Sequence, residues 1–177
     1  MVTAIQRLTE SDVDQVVAFF DGIPEGDRTF FKEPVAGEST VRNWLADHHS
    51  TRLLALAGSD VVGYAAVIEG VGWSSHVGEL RLVIDPGHRR EGLGHRLAKA
   101  ALGVALEAGL SKVYVEAIAT QTSTIGLFVK LGFLPEALLE DHVRDQNGQL
   151  NDLIVLAHRT AETWATLATV GLDATLD

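Results

Sequence analysis

A loop with two glycines and two arginines lies directly before the clearest helix pattern of the chain. The segment Arg89–Gly94 reads Arg-Arg-Glu-Gly-Leu-Gly, and apolar residues recur at helical spacing from Leu93 to Ala108. The first N–H groups of a helix lack intrahelical partners and lie at the positive end of its dipole, so an anion binds well there. The segment predicts a loop that holds a pyrophosphate. A plain strand-to-helix turn is the alternative, because glycine loops often precede helices.

The loop fits neither of two common nucleotide-binding motifs. It lacks the Gly-x-x-x-x-Gly-Lys-Ser/Thr sequence of a Walker loop. A dinucleotide fingerprint needs a third small residue where Leu97 stands, and Asp85–Glu91 separates the preceding strand from the turn. Glu116 does follow the loop at about the spacing of a ribose-binding acid. An unrelated nucleotide-binding domain is therefore kept as an alternative.

The charged residues, histidines and cysteines limit the possible functions. The 177-residue chain carries 24 acidic and 14 basic residues, a formal net charge of −10. This charge weighs against nucleic-acid binding and suits a cationic substrate, although solubility alone explains it. The chain has no cysteine, and its 7 histidines show no ligand spacing on a common face, so we expect no catalytic metal. No secretion signal or membrane-spanning run is visible, which predicts a cytoplasmic protein.

The elements that position these residues form hairpins and strand–helix–strand units. Strands are predicted at Val2–Leu8, Arg52–Ala57, Val61–Ile68, Val77–Ile84, Lys112–Ile118, Phe133–Val143 and Gln149–Ala157. Helices are predicted after Thr9–Asp12, near Glu38, from Leu93, from Thr122 and at Thr160–Val170. This order predicts an α/β (α+β) fold, a mixed, mostly antiparallel sheet of about seven strands flanked by helices. We expect one domain over residues 1–177, with 158–177 as a C-terminal helix and tail that covers its own sheet or forms a homodimer.

Two linked segments resemble the GCN5-related N-acetyltransferase family. Leu82–Gly94 is an apolar strand followed by Asp-Pro and then by a sequence similar to the family's Arg/Gln-x-x-Gly-x-Gly/Ala signature. Val115-Glu116, the segment Gln121–Leu131 and the ending Lys130-Leu131-Gly132-Phe133 resemble the family's next strand and helix at the expected spacing. The local likeness is to bacterial ribosomal-protein alanine acetyltransferases, and the resemblance covers roughly Arg52 to Ala157.

The resemblance implies acetyl-coenzyme A (acetyl-CoA) as co-substrate and no metal. The acetyl group would pass to a primary amine, on a small molecule or a protein, by direct attack in a ternary complex. A non-catalytic acyl-CoA-binding module is the alternative. The β-strand that ends at Ile84 would splay from its neighbour and open a slot for the thioester. The implied cofactor-binding residues are Leu82, Val83, Ile84, Arg89, Arg90, Glu91, Gly92, Leu93, Gly94, His95, Gln121 and Phe128.

Acetyl transfer to an amine needs a general base and a donor that stabilises the developing oxyanion. Glu116 is the first candidate for the base, because it is the lone acid of an apolar strand and lies where the resembling enzymes carry glutamate. A carboxylate that pairs with an arginine at the sheet surface is the alternative for Glu116. Glu79, on the opposite strand face from Leu80, is the second candidate. The backbone N–H of Val83 or Ile84 is the implied oxyanion donor.

The sequence departs from the family where the leaving thiolate is protonated. Phe128 stands where many members have tyrosine, and Gln121 stands where asparagine is common. Tyr114 shares a strand face with Glu116 and is a candidate replacement for the acid. In this family the first long loop and the last hairpin often shape the acceptor site, so the resemblance implies three candidate residues there, Phe30, Phe31 and His142.

Overall fold

A seven-stranded sheet runs through the residues described by the computed structural model, which are 4–28, 31–33, 35 and 37–160. The strands are β1 (Ala4–Arg7), β2 (Ser50–Ala57), β3 (Asp60–Glu69), β4 (Val77–Ile84), β5 (Lys112–Ile118), β6 (Leu134–Arg144) and β7 (Leu150–Arg159). Their order is β1-β2-β3-β4-β5-β7-β6, and every neighbouring pair is antiparallel except β4 and β5. The predicted fold class is confirmed.

Helices cover both faces of this sheet. The α-helices are α1 (Val13–Gly22), α2 (Glu25–Arg28), α3 (Glu38–Ala46), α4 (Leu93–Glu107) and α5 (Thr122–Lys130). Short 3₁₀ turns lie at Glu10–Asp12, Gly72–Ser74 and Pro86–His88. Helices α4 and α5 pack against one face in the larger apolar core, and α1 and α3 pack against the other face. No helix in the described part of the chain is long and apolar enough to cross a membrane.

The predicted alternation of β4 is confirmed and decides which side chains reach each core. Leu80 and Leu82 lie in the core under α4, whereas Val83 lies in the core under α1 and α3. Because side chains alternate along a strand, Glu79 and Arg81 share the face of Val83. Two charged residues are thus placed on the sheet face of Val83, with Glu79 where β4 last pairs with β5 and Arg81 just beyond that point.

Strands β4 and β5 pair only at their beginnings. The parallel register runs from Val77↔Lys112 to Glu79↔Tyr114 and stops there, although β4 continues to Ile84 and β5 continues to Ile118. Each strand stays paired with its other neighbour to its end. The two inner backbone edges beyond Glu79 and Tyr114 therefore face each other without forming a ladder. We call this opening the strand gap, and it is the splay that the resemblance implied.

Two parts of the chain differ from the prediction or lie outside the description. No element is predicted between the first helix and the helix near Glu38, but the structure has α2 there. This helix begins where the N–H groups of Asp27 and Arg28 donate to the Pro24 carbonyl. Strand β7 runs to Arg159, so residues 158 and 159 extend the sheet and do not begin the predicted C-terminal helix. Residues 161–177, and with them the prediction of a helix and a homodimer contact, lie outside the described residues.

The packing of α4 generates a stability prediction. Leu97 is completely buried under β2 and β3, and Leu97→Ala leaves a cavity there. We expect it to lower the free energy of unfolding by about 3 kcal/mol, measured by urea denaturation. Leu134→Ala is the control, because Leu134 is 70% exposed, and it should change the value by less than about 0.5 kcal/mol. Equal losses in both variants would contradict this position for α4.

Candidate functional site

Charged side chains from four parts of the chain meet at the beginning of the strand gap. They lie on the sheet face that α1 and α3 cover. Lys32 and Glu33 come from the segment between α2 and α3, Arg52 comes from β2, and the others come from β4 and β5. We call this set the ion-pair chain, and its members in order of contact are Glu116, Lys32, Glu79, Arg81, Glu33 and Arg52.

The ammonium of Lys32 joins the two glutamates that the sequence singled out. Its Nζ lies 2.8 Å from Oε1 of Glu79 and 2.7 Å from Oε2 of Glu116. The glutamates come from opposite sides of the strand gap, so Lys32 bridges its beginning. The structure thus brings both predicted base candidates together. The alternative prediction, that Glu116 pairs with an arginine, is wrong, because its partner in the structure is a lysine.

Arg81 holds the other side of Glu79. Its Nε and Nη2 donate to Oε1 and Oε2 of Glu79 at 3.1 and 3.0 Å, which is a two-bond contact to one carboxylate. Its Nη1 lies 2.9 Å from Oε1 of Glu33. The same Glu33 oxygen accepts from Nη1 of Arg52 at 3.0 Å. Glu79 is therefore fixed on the sheet, whereas Glu116 is held by Lys32.

Arg52 anchors the far end of the ion-pair chain in the apolar core. It is 5% exposed, its guanidinium lies 4.3 Å from the ring centroid of Trp44, and it donates to the hydroxyl of Tyr64. Burial raises the pKa of Tyr64 and outweighs the opposing effect of Arg52. This hydroxyl therefore stays protonated. A buried cation needs both its ion partner and its aromatic contacts, and Arg52 has both.

The charges of the ion-pair chain set the protonation of its members. Burial opposes ionisation of Glu79, but hydrogen bonds and charges from Arg81 and Lys32 outweigh it and lower the pKa of that carboxyl. Burial likewise opposes the charge on Lys32, but hydrogen bonds to Glu116 and Glu79 outweigh it and raise the pKa of that amine. At neutral pH, Glu79 is therefore a carboxylate and Lys32 an ammonium.

Tyr114 lies beside this charged centre on β5. It is the register partner of Glu79 and, by alternation, shares the face of Glu116. Burial raises the pKa of Tyr114, and the nearby negative charge of Glu79 raises it further. A phenol with a raised pKa keeps its proton at neutral pH and can donate it. The structure thus places the candidate replacement acid near the two glutamates.

The predicted pyrophosphate loop has a backbone suited to an anion. Arg90 and Gly92 have left-handed conformations, with φ of 65° and 77°. Left-handed residues among right-handed ones direct successive N–H groups into one concavity. The first i→i−4 hydrogen bond of α4 runs from the N–H of Arg96 to the carbonyl of Gly92. The N–H groups of the residues just before Arg96 therefore have no partner within the helix. A Cβ on Gly92 would meet open space, so its conformation is what favours glycine there.

The residues around this loop have different environments. The Arg89 guanidinium donates to Asp27 at 2.5 Å and to the Ile84 carbonyl at 3.2 Å, so its side chain ties the loop to α2 and the end of β4. Gly94 is a close-packing position, because a Cβ there would lie 2.8 Å from Cδ1 of Leu127 in α5. The beginning of α4 and helix α5 therefore line the same end of the strand gap.

Of the last two predicted cofactor residues, Gln121 lies just before α5 and Phe128 lies within it. The Gln121 carbonyl accepts from the N–H groups of Thr124 and Ile125, so Gln121 is the N-cap residue of the helix. Phe128 is 2% exposed, and its ring centroid lies 5.1 Å from that of Phe133. Most of the Phe128 ring therefore packs in the core under the loop. Their contact with a cofactor stays a prediction.

Two of the predicted acceptor residues, Phe31 and His142, are described, and they lie in different surroundings. Phe31 is half-buried, and its ring centroid lies 5.7 Å from that of Phe20 in the core under α1. His142 is exposed on β6, which β7 separates from β5 and Glu116. Phe30 lies outside the described residues. Phe31 therefore has a packing role, and the part of all three in acceptor binding stays a prediction.

Sequence analysis missed Lys32, Glu33, Arg52 and Arg81 as members of the site. A signal existed for Arg81, because it interrupts an apolar strand pattern with a charge, whereas Arg52 lies at the start of a predicted strand, where a charge is unremarkable. Lys32 and Glu33 lie in a segment without periodicity, where a charged residue has no predictable partner. Among the described residues, no group of three or more histidines, cysteines or acids is arranged to hold a metal ion.

Comparisons with known proteins identify a family model that matches this chain and solved structures that share its fold. A model of the acetyltransferase (GNAT) family matches residues 18–133. The fold is similar to that of a ribosomal-protein-alanine N-acetyltransferase from Brucella melitensis, with a TM-score of 0.77 and 20% identity over 89% of this chain and 99% of that chain. A putative acetyltransferase from Salmonella typhimurium, yncA, solved with acetyl-CoA, gives a TM-score of 0.77 and 16% identity over 89% of this chain and 93% of that chain.

A third similar structure is the ribosomal-protein-S18-alanine N-acetyltransferase from Escherichia coli. Its TM-score is 0.69, with 18% identity over 89% of this chain and 93% of that chain. At such identities these structures show the fold, and the family match covers most of the chain. A comparison with curated proteins by sequence found no match.

The lowered pKa of Glu79 generates a prediction about stability and pH. Its ion pairs stabilise the fold above the unfolded pKa of about 4.5, and this contribution is lost as the pH falls through the lower folded pKa. At pH 7, we expect Glu79→Gln to lower the free energy of unfolding by about 1 to 2 kcal/mol, allowing for solvent screening at Lys32. Urea denaturation of both proteins should show the difference shrinking in acid, below the folded pKa.

Glu107→Gln is the control for this experiment. Glu107 pairs with Arg7 at 2.9 Å, but its side chain is 71% exposed, so its removal should change stability little at any pH. A pH-independent difference between wild type and Glu79→Gln would contradict the assignment of Glu79 as a stabilised carboxylate.

Proposed function

The chain belongs to the acetyltransferase (GNAT) family and is an acetyl-CoA-dependent N-acetyltransferase, and we propose that its acceptor amine attacks the thioester directly, in a ternary complex at the strand gap. The observation that carries this proposal is the end of β4–β5 pairing at Glu79, where the two predicted base candidates meet. The family match favours neither a non-catalytic acyl-CoA-binding module nor an unrelated nucleotide-binding domain.

The backbone of the chain fits the cofactor at two places. The left-handed Arg90 and Gly92, with the first N–H groups of α4, form a concavity of donors suited to a pyrophosphate. The inner edge of β4 from Leu82 to Ile84 has no ladder partner across the gap, so its amides are available to the amide-containing arm of the cofactor. When bound, the cofactor supplies an acetyl thioester as the acyl donor.

Glu116 is the preferred proton acceptor of the two glutamates. Glu79 accepts bonds from Arg81 and Lys32, and its lowered pKa makes it a weak base. Glu116 contacts Lys32 and lies on the other side of the gap. In this mechanism Glu116 removes a proton from the acceptor ammonium, directly or through water. Glu79 stays a carboxylate and offsets the positive charge of Arg81.

The remaining roles concern the oxyanion and the leaving group. As the nitrogen–carbon bond forms and the carbon–sulfur bond breaks, the N–H of Val83 or Ile84 stabilises the negative charge on the acetyl oxygen. Tyr114 donates its proton to the departing thiolate and takes back the proton that the newly acylated nitrogen loses, so the products are an amide and the free thiol of coenzyme A, while Glu116 passes its proton to water. Tyr114 is the candidate for this role because it lies beside Glu79 at the beginning of the strand gap and carries a phenol proton, whereas Phe128, which replaces the usual tyrosine, has none to give. A homodimer and a cytoplasmic location stay predictions.

The role of Glu116 is tested by Glu116→Gln. With any amine that supports release of coenzyme A, we expect kcat to fall about 100-fold while the Kd for acetyl-CoA stays unchanged, because a general base acts on the acceptor. The amine panel includes an alkylamine, a polyamine, a lysine peptide and a peptide with N-terminal alanine. Release of coenzyme A is measured with a thiol reagent.

Glu136→Gln provides the matched control. Glu136 also pairs with one lysine, Lys112, at 2.7 Å, but it lies away from the gap on β6, and its removal should leave kcat unchanged. If Glu116→Gln retained full kcat, Glu116 would not be the base.

A further inference from the structure

The ammonium of Lys32 occupies a position defined by the two sides of the active site. Its Nζ contacts one carboxylate oxygen on β4 and one on β5, at the residue where those strands part. We infer that Lys32 is an internal occupant of the acceptor site, and that the ammonium of an acceptor on an unbranched alkyl chain takes its place between Glu79 and Glu116. This inference rests on the proposed function and adds the chemical class of the acceptor.

The charge of the site requires a cation at this position. Glu79 keeps Arg81 when Lys32 leaves, but Glu116 loses the ammonium that neutralises it. A partly buried carboxylate without a counter-charge is costly, so departure of Lys32 is favourable only when another cation enters. A neutral or anionic acceptor would leave Glu116 unpaired. A protonated amine restores both contacts, because an ammonium has three donors to share.

Lys32 is the member of the site that can leave. Its side chain is 39% exposed, whereas those of Glu79 and Glu116 are 10% and 20% exposed. It reaches the carboxylates from the solvent side on a flexible four-carbon stem. Arg81 and Arg52 differ, because Arg81 makes a two-bond contact with Glu79 and Arg52 is buried against the ring of Trp44. Exchange of one ammonium for another thus preserves the rest of the ion-pair chain.

The shape of the occupant indicates the shape of the acceptor. Lys32 delivers its ammonium on unbranched methylene groups, so the space beside the nitrogen accommodates a methylene group. A lysine side chain, a polyamine end or a simple alkylamine has the same form. An α-amino group of a peptide is branched at the carbon next to nitrogen and fits this space less well. The inference therefore favours terminal alkylamines over peptide N-termini.

The test uses Lys32→Ala with propylamine, which replaces the removed atoms from Cγ to Nζ. Without acetyl-CoA, propylamine should raise the thermal unfolding temperature of this variant in a saturable way, because a ligand of the folded state stabilises it. Wild type should show a much smaller rise. Propan-1-ol, which lacks the charge, and isopropylamine, which is branched, should also have smaller effects.

Two further variants make the test specific to this site. Lys112→Ala removes the matched lysine, whose side chain is 32% exposed and which pairs only with Glu136 among the ion pairs of the described residues. It should behave as wild type. Lys32→Ala/Glu116→Gln should lose the propylamine effect, because one of the two carboxylates is gone. With acetyl-CoA, the KM for propylamine should be about tenfold lower in Lys32→Ala than in wild type, since the internal competitor is absent.

The outcomes separate this inference from the proposed function. Equal thermal shifts and equal KM values in wild type and Lys32→Ala, with coenzyme A released, would overturn the internal occupant and leave the transferase intact. A saturable shift confined to Lys32→Ala, without release of coenzyme A from any amine, would support the ammonium site and count against acetyl transfer there.

A measurement on wild type keeps the inference testable if Lys32→Ala does not fold. The nuclear magnetic resonance signals of the Lys32 ε-methylene and ammonium groups should move towards those of free lysine as propylamine is added. Those of Lys112 should stay in place. Unchanged Lys32 signals at saturating propylamine would overturn the inference.

Discussion

The end of hydrogen bonding between β4 and β5 is the constraint on which the site depends. Up to Glu79 and Tyr114 the strands form an ordinary parallel ladder, and beyond them each keeps only its outer partner. Backbone N–H and C=O groups in the interior of a sheet normally pair with the neighbouring strand, so where the ladder opens these groups need other hydrogen-bond partners. The same opening leaves an edge of β4 without a strand partner and places the carboxylates of Glu79 and Glu116 on either side of the Lys32 ammonium. The proposed cofactor edge and the proposed acceptor site thus both depend on this one feature of the sheet.

The ion-pair chain makes this opening compatible with a stable protein. A carboxylate on an otherwise apolar sheet face is unfavourable unless it is paired. Glu79 is held by Arg81, which is linked through Glu33 to Arg52 and its aromatic neighbours. This arrangement fixes one side of the site in the core under α1 and α3. On the other side, Glu116 pairs with the ammonium of Lys32, and this asymmetry is the basis for the different roles proposed for the two glutamates.

Much of the fold was predictable because its elements are locally consistent. The alternation of β4, the apolar repeat of α4 and the last two strands each follow from residue types within one short window, and the structure has all three. The glycines before α4 likewise predicted the turn that leads into this helix, and its anion-binding role stays a prediction. Glu79 and Glu116 were identifiable as lone acids in apolar strands.

The parts that were not predictable depend on contacts between distant residues. Lys32 lies 47 positions from Glu79, in a segment where prolines and glycines remove any periodicity. The strand gap has no local signal either, because Leu80–Ile84 has the residue types of a fully paired strand, and only the resemblance implied a splay. The short helix α2 was missed because its four residues, which include Gly26, are too few for an apolar repeat.

The central claim is that acetyl-CoA binds along the open edge of β4 with its pyrophosphate at the start of α4. Amide hydrogen exchange with and without acetyl-CoA tests it directly. The account predicts slower exchange at Leu82–Ile84 and at the N–H groups of Gly92–His95, with β6 unchanged, because new hydrogen bonds form only at the former segments. Protection elsewhere, with both of these segments unaffected by saturating acetyl-CoA, would contradict the account.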